Sequence, residues 1–268
     1  MGGNIDAKSL IRSYKFNEER RNTRSQKKNS NFLHIEKKYK DLRPSLNNHT
    51  KVVFVGFNPG VQSSIQQHHY AHFTNLFWKL FNDSKIFIKV NFRGDFEETL
   101  RKDNFLSSLI TPVKKGNYVS HFKPEHDFAL ADYHIGFTDL VLRCTKSAQE
   151  LPLSEKIANV PRLIEEFKYT GVKFIVIVGK GIWEIIIAYL SKELGIKVKL
   201  SKDNFTWGQQ TTGKDEMYNS SLQLLHNLIG TQCRVYVLPN TSGLVASMSY
   251  ADKLNLWVNL GNDLQNSN

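Results

Sequence analysis

The chain has 268 residues, 40% of them hydrophobic and 12% aromatic, enough for one well-packed domain with appendages. No run of about 18 apolar residues exists and no hydrophobic stretch follows Met1-Gly2-Gly3-Asn4, which argues against a membrane span or a secretory signal. The formal net charge is +11, and residues 1–51 carry thirteen Lys/Arg against five Asp/Glu, or +8 of that total. A basic, polar segment ahead of a less charged body suits attraction to a polyanion such as DNA, and it equally suits a solubilising tail.

Residues 1–50, rich in Lys, Arg, Asn and Ser and poor in periodic apolar content, are predicted to form a disordered arm. Within it, Arg20-Arg21-Asn22-Thr23-Arg24 and Lys27-Lys28 resemble a nuclear import signal. Order is expected from Lys51, where the β-branched run Val52-Val53-Phe54-Val55 ends in Asn58-Pro59-Gly60, the pattern of a buried strand entering a tight turn. A helix is predicted over 74–81, capped by Thr74, with Phe77, Trp78, Leu80 and Phe81 as its apolar face. Residues 83–131 read as an irregular insertion with one or two short elements.

Ile135 to Leu142 reads as a second strand. Ser154 to Tyr169 reads as a helix with Ser154 as N-cap, its apolar residues recurring at three and four. The run Phe174-Ile175-Val176-Ile177-Val178 has the continuous apolar character of a parallel strand covered on both faces. A helix over roughly 182–194 follows. A second insertion spans 201–230, with a helix near 220–229. A strand at 233–238, a loop at 239–244, a helix at 250–260 and a tail at 263–268 complete the chain. Cys144 and Cys233 lie far apart and read as two reduced core thiols. Strands alternating with helices predict a three-layer α/β/α domain, residues 51–262, with a mostly parallel central sheet. In such a sheet the ligand crevice lies beyond the carboxyl ends of the strands, which brings residues 58–60 and 239–244 into view.

Those two loops carry a resemblance. Gly56-Phe57-Asn58-Pro59-Gly60, then His68-His69-Tyr70 and Asn75-Leu76-Phe77-Trp78-Lys79, is similar to the first motif of the mismatch-specific uracil/thymine-DNA glycosylases, within the uracil-DNA glycosylase superfamily. Ile135-Gly136-Phe137-Thr138-Asp139-Leu140-Val141 resembles the family's central Gly-Phe-Thr strand. Gly179-Lys180-Gly181-Ile182-Trp183-Glu184 resembles its strand-to-helix junction, and Pro239-Asn240-Thr241-Ser242-Gly243-Leu244 its DNA-inserting loop. The likeness runs in order over about residues 51–260. Two departures lie on the rim of the expected pocket: His72-Phe73-Thr74 where members commonly have Gly-Pro-Gly, and Gln66-Gln67 where they have Thr-Gly. A third follows the second loop, where some relatives carry an arginine and this chain has Val245-Ala246-Ser247-Met248.

The resemblance implies a uracil-DNA glycosylase-like fold and a monofunctional enzyme that flips uracil or thymine, mispaired with guanine, out of duplex DNA and hydrolyses its glycosidic bond. A glycosylase-like module that binds mismatched or damaged DNA with little turnover is the alternative. The departing pyrimidine is a fair anion, so a side chain that orients water can suffice. Asn58 is the candidate, since its amide oxygen can hold a water, although an Asn before Pro-Gly also simply closes turns. Phe57, His69, Tyr70, Asn75 and Thr138 are the candidate base pocket. For Tyr70 ordinary packing competes with stacking on the base, for Asn75 a helix-cap contact competes with base pairing, and for Thr138 strand preference competes with a hydrogen bond. Asn240, Thr241, Ser242 and Gly243 would meet phosphates and backbone, and Leu244 would act as an apolar wedge unless it folds back into the core.

His68, His69 and His72 invite a metal reading, but adjacent loop histidines are expected to point apart, without an acidic partner nearby. No metal and no cofactor is expected. Lys180 and Lys253 read as solvated lysines rather than Schiff-base nucleophiles. The expected partner is double-stranded DNA with a mispaired or damaged pyrimidine, bound by a monomer without any membrane. The expected location is the nucleus in a eukaryote, or otherwise the cytoplasm with the DNA.

Overall fold

Val52–Gly56 (β1) is buried at every position, because alternate side chains enter different layers. Val52 and Phe54 face one core, and Val53 and Val55 the other. The computed structural model describes residues 39–91, 96–114, 116–243 and 248–267, so the basic run at 20–28 and Leu244 lie outside the described residues. Beyond β1 come short helices at Val61–Gln66 (α1), Phe77–Asp83 (α2), Ile86–Asn91 (α3), Phe96–Lys102 (α4) and Asn104–Leu109 (α5). An antiparallel hairpin, Ile110–Lys114 (β2) with Asn117–Ser120 (β3), follows them. The segment 83–131 is thus richer in structure than its mixed composition suggests, and its short apolar runs feed the same core as β1.

Ile135–Asp139 (β4) returns to pair with β1 in parallel, and helices Leu153–Ala158 (α6) and Val160–Thr170 (α7) lead to Phe174–Val178 (β5) on the other side of β1. The single helix expected over 154–169 is therefore two. Pro161 sits in the first turn of α7 and has no N–H to continue α6, while Pro152, not Ser154, occupies the N-cap position. Lys180–Glu193 (α8), Gly208–Gln210 (β6), Glu216–Ile229 (α9), Arg234–Leu238 (β7) and Tyr250–Asn266 (α10) complete the order. The sheet reads β4-β1-β5-β7-β6, parallel except for β6. Three residues are too few for alternation to betray β6. The tail expected from 263 is instead the last turns of α10, held because Leu264 is buried and Tyr236 donates to Asp263 Oδ2.

Helices α2, α3 and α10 cover one face of the sheet and α7, α8 and α9 the other. Phe54 centres the first layer, packing edge-on to Phe77 at 5.2 Å between ring centres and stacking on Trp257 at 5.5 Å. The compact unit that holds the sheet begins at Tyr39, so residues 39–50 belong with it. Ser45 exchanges backbone hydrogen bonds of 2.8 and 2.9 Å with Phe137, which covers the open edge of β4. Leu42 is buried, and a side chain at Gly136 would strike Leu46 and Thr50, so the segment presses directly on the strand.

Phe54→Ala should cost about 3–5 kcal/mol and Leu42→Ala about 2–5 kcal/mol in urea unfolding. A loss under 1 kcal/mol for Leu42→Ala would return residues 39–50 to the arm.

Candidate active site

The carboxyl ends of β1 and β4 lie side by side, with Gly56 opposite Asp139. The chain leaves β1 through Phe57-Asn58-Pro59-Gly60 and leaves β4 through Leu140 to Thr145, and the two exits are tied together. Leu140 N donates to Gly56 O, Val141 N to Phe57 O, and Thr145 N to Pro59 O. Asn58 hangs between them, half-buried. Its Nδ2 donates to Thr145 Oγ1 at 2.8 Å and to the carbonyls of Arg143 and Pro59 at 3.2 Å. The Thr145 hydroxyl gives its own proton to Ser147 O at 2.8 Å, so toward Asn58 it can only accept. All three neighbours being acceptors, the amide turns its NH₂ inward and presents Oδ1 to the cleft. Thr145 is the residue that sequence reasoning missed here. It lies 87 positions from Asn58, and nothing local marks it.

The pocket candidates divide. Phe57 turns its ring away, toward Gly181 at the start of α8 and under Lys156 Nζ at 5.2 Å. Thr138 is on the far face of β4, donating to Glu166 Oε2 of α7 at 2.7 Å, so it leaves the pocket set. Asn75 spends Oδ1 on Phe77 N at 2.9 Å, a turn contact just ahead of α2, which begins at Phe77 with Leu76 as its N-cap and not at Thr74. Tyr70 and His69 stay at the cleft. Tyr70, at φ 54°, stacks flat on Phe77 with ring centres 3.8 Å apart, and its hydroxyl is buried without a partner among the described residues. Burial, with Asp139 adding to it, raises its phenol well above the usual range, so it stays a donor.

His68 and His69 do not point apart. Both Nδ1 atoms meet Asp127, at 2.8 and 2.7 Å, and His69 N donates to the same carboxylate at 2.8 Å. These are hydrogen-bond lengths, too short for an ion between ring and carboxylate. Burial works against the Asp127 anion, but the bonds from His69 and His68 outweigh it and hold the carboxyl below its ordinary range. His69 Nε2 is left buried and unpartnered among the described residues.

Asp139, also missed, is 5% exposed at the end of β4, and its carboxylate makes no hydrogen bond among the described residues. Gly56 is what admits it: a Cβ there would lie 2.2 Å from Asp139 Oδ1 and 3.2 Å from Tyr70 Oη. Burial pushes its carboxyl up to about 6, against the lowering pull of His69 and Arg162.

The second loop lies across the first. Thr241 O accepts from Leu76 N at 2.9 Å, and Gly243 passes so near Thr74 that a Cβ would sit 2.7 Å from its hydroxyl. Asn240 Oδ1 accepts from Ser242 N at 2.8 Å, a local turn that leaves Asn240 exposed, whereas Thr241 is buried. Lys253 is not solvated. It is 2% exposed on α10 and donates to Asn240 O at 2.9 Å, anchoring the loop. Burial lowers its pKa. On the rim, Phe73 is exposed and stacked on His72. Elsewhere a hollow of about 120 Å³ at the β6 edge, lined by Asn204, Gln210 and Tyr218, falls below the roughly 300 Å³ of small-molecule sites.

Residues 44–261 match the family model described as the Uracil DNA glycosylase superfamily. Over 206 residues the chain is 29% identical to the G/U mismatch-specific uracil DNA glycosylase of Schizosaccharomyces pombe, covering 76% of this chain and 48% of that protein. The chain therefore spans about half the length of this curated relative. The family match takes in all five strands of the main sheet and both cleft loops. The chain belongs to the uracil-DNA glycosylase superfamily.

Proposed function

We propose that this protein is a monofunctional DNA glycosylase that removes uracil or thymine mispaired with guanine in duplex DNA. The observation that carries the reading is the fixed amide of Asn58, whose inward NH₂ leaves Oδ1 as an acceptor at the cleft. Extruding a base costs a few kcal/mol and costs least at a mispair, so the fold need not supply the whole discrimination. Asn58 holds the water that adds to C1′ as the bond to the pyrimidine breaks. An amide cannot take the water's proton as a carboxylate would, so the enzyme is slow.

Tyr70, backed by Phe77, is the stacking surface, worth about 1–3 kcal/mol per base. Asn240, Ser242 and Gly243 meet the DNA backbone on a loop held by Lys253 and Leu76, and Leu244 fills the vacated stack. Lys253, buried on a carbonyl, is spoken for as an anchor rather than a Schiff-base nucleophile. One protomer suffices for one flipped base, and in a eukaryote the work lies in the nucleus.

Single-turnover assays on labelled duplexes carrying G·U, G·T or A·U, with alkaline scission of the product, test the reading. We expect abasic sites from G·U, and a loss of about 10²–10³-fold in rate for Asn58→Ala with mismatch binding retained. Tight mismatch binding without release from any duplex would mark a binding module instead. Thr145→Val, which removes the acceptor that orients Asn58, should lower the single-turnover rate about three- to tenfold without weakening binding. Thr145→Ser should restore it, and a Val variant as fast as the parent would remove Thr145 from the account.

A further inference from the structure

We propose that Asp139, in its protonated form, donates a hydrogen bond to a carbonyl oxygen of the pyrimidine in the cleft, and that ionisation of this side chain switches the reaction off. The inference rests on the glycosylase reading above and names a group that the reading leaves idle. Three observations place Asp139 against the bound base. It ends β4 directly opposite Gly56, two residues before Asn58. Its Oδ1 and the Tyr70 hydroxyl flank the space that any side chain at position 56 would fill. Neither the carboxylate nor that hydroxyl has a hydrogen-bond partner among the described residues; the hydroxyl is fully enclosed, and Asp139 is 5% exposed. Two polar groups so enclosed, aimed at one spot and without a protein partner among the described residues, are costly unless water or a ligand completes them.

The surroundings decide the protonation state. His69 and Tyr70 face Asp139 from the segment after α1, Arg162 and Glu166 face it from α7, and β1 contributes only backbone. Arg162 would be the natural counter-ion, but it is engaged elsewhere. Its Nη2 donates to the carbonyls of Asp139 and Leu140, the latter at 2.9 Å, and its Nη1 pairs with Glu166 Oε1. The guanidinium therefore holds the backbone of the strand end and leaves the carboxylate unpaired. Burial is the largest influence, and it brings the carboxyl to about 6, so both forms are populated near neutrality.

The chemistry then separates the two forms. As the glycosidic bond breaks, its electron pair passes to N1 of the base and spreads onto the ring oxygens. The water adds to C1′ and its proton ends on the departing pyrimidine, so water and nucleotide give abasic sugar and free base. A neutral carboxyl donating to a ring oxygen stabilises that growing charge. An ionised carboxylate at the same place repels it and offers no donor.

The test is the pH dependence of the single-turnover rate on G·U duplex, from pH 5 to 9, at saturating protein. The parent rate should fall about tenfold per pH unit above a midpoint near 6 to 7, and Asp139→Asn, a permanent donor, should flatten the profile and exceed the parent at pH 8. Parallel profiles for parent and variant would overturn the proposal. So would a folded Asn variant inactive at every pH, because the carboxylate itself would then be required. Should Asp139→Asn fail to fold, the parent alone decides: a rate flat or rising between pH 6 and 8 rules the switch out. No cleavage by the parent at any pH would sink the glycosylase reading and this inference with it, whereas cleavage with a flat profile sinks only this inference.

Discussion

The parallel pairing of β1 with β4 is the constraint on which the site depends. Five consecutive residue pairs, Val52 with Ile135 through Gly56 with Asp139, fix where both strands end. Backbone bonds continue past the strands, from Leu140 to Gly56 and from Val141 to Phe57, so the two exits advance in register before they diverge. That register sets Thr145 against Asn58 and Asp139 against Gly56. A slip by one residue would turn Asp139 to the α7 face and bring Thr138 to the cleft. The strands resist such a slip because each is buried on both faces, with Phe54 and Phe137 stacked at 5.9 Å in one layer and Val53 and Val55 in the other.

The aromatic layer serves the cleft as well as the core. Phe77 touches Phe54 on the sheet side and carries Tyr70 on its other side, so a ring at the cleft is held by the densest part of the interior. Trp78 donates to His69 O at 3.1 Å, and Asp127 accepts from both the backbone N and the Nδ1 of His69. Side chains fixed by packing and by second partners hold their geometry more tightly than loop residues alone could. The second loop gains the same support from Lys253, at the cost of burying an ammonium group.

Much of the fold was legible because its signals are local. The apolar runs at 52–55 and 174–178 announce strands buried on both faces, and the turn residues after them announce where a crevice must lie. What escaped reading depends on contacts distant in sequence. Lys253 looks solvated until α10 is rotated onto the sheet, and Asn58 gives no hint that Thr145 orients it. Two errors could have been avoided. Period-two alternation puts Thr138 opposite Phe137, hence away from the layer that holds the cleft aromatics, and Pro161 forbids one continuous helix over 154–169. The same alternation points Asp139 toward the cleft, and an acidic residue closing so apolar a strand was itself a signal.

Two carboxylates near the end of one sheet are driven in opposite directions by what surrounds them. Asp127 accepts from two imidazoles and from the backbone N–H groups of His69 and Phe128, and the bonds from the two histidines overcome its burial and keep it an anion. Asp139 is also buried but has no such donors among the described residues, so burial prevails and its proton is retained to about pH 6. The first can orient rings but has no proton to give. The second has a proton to give, and no group among the described residues receives it. Environments that push like groups apart commonly sort structural from chemical roles in an active site. Here the separation follows from donor supply: His68 Nδ1, His69 Nδ1 and His69 N are directed to Asp127, and Arg162 directs its guanidinium to carbonyls and Glu166. Donor supply thus leaves Asp127 the buried anion and Asp139 the buried acid.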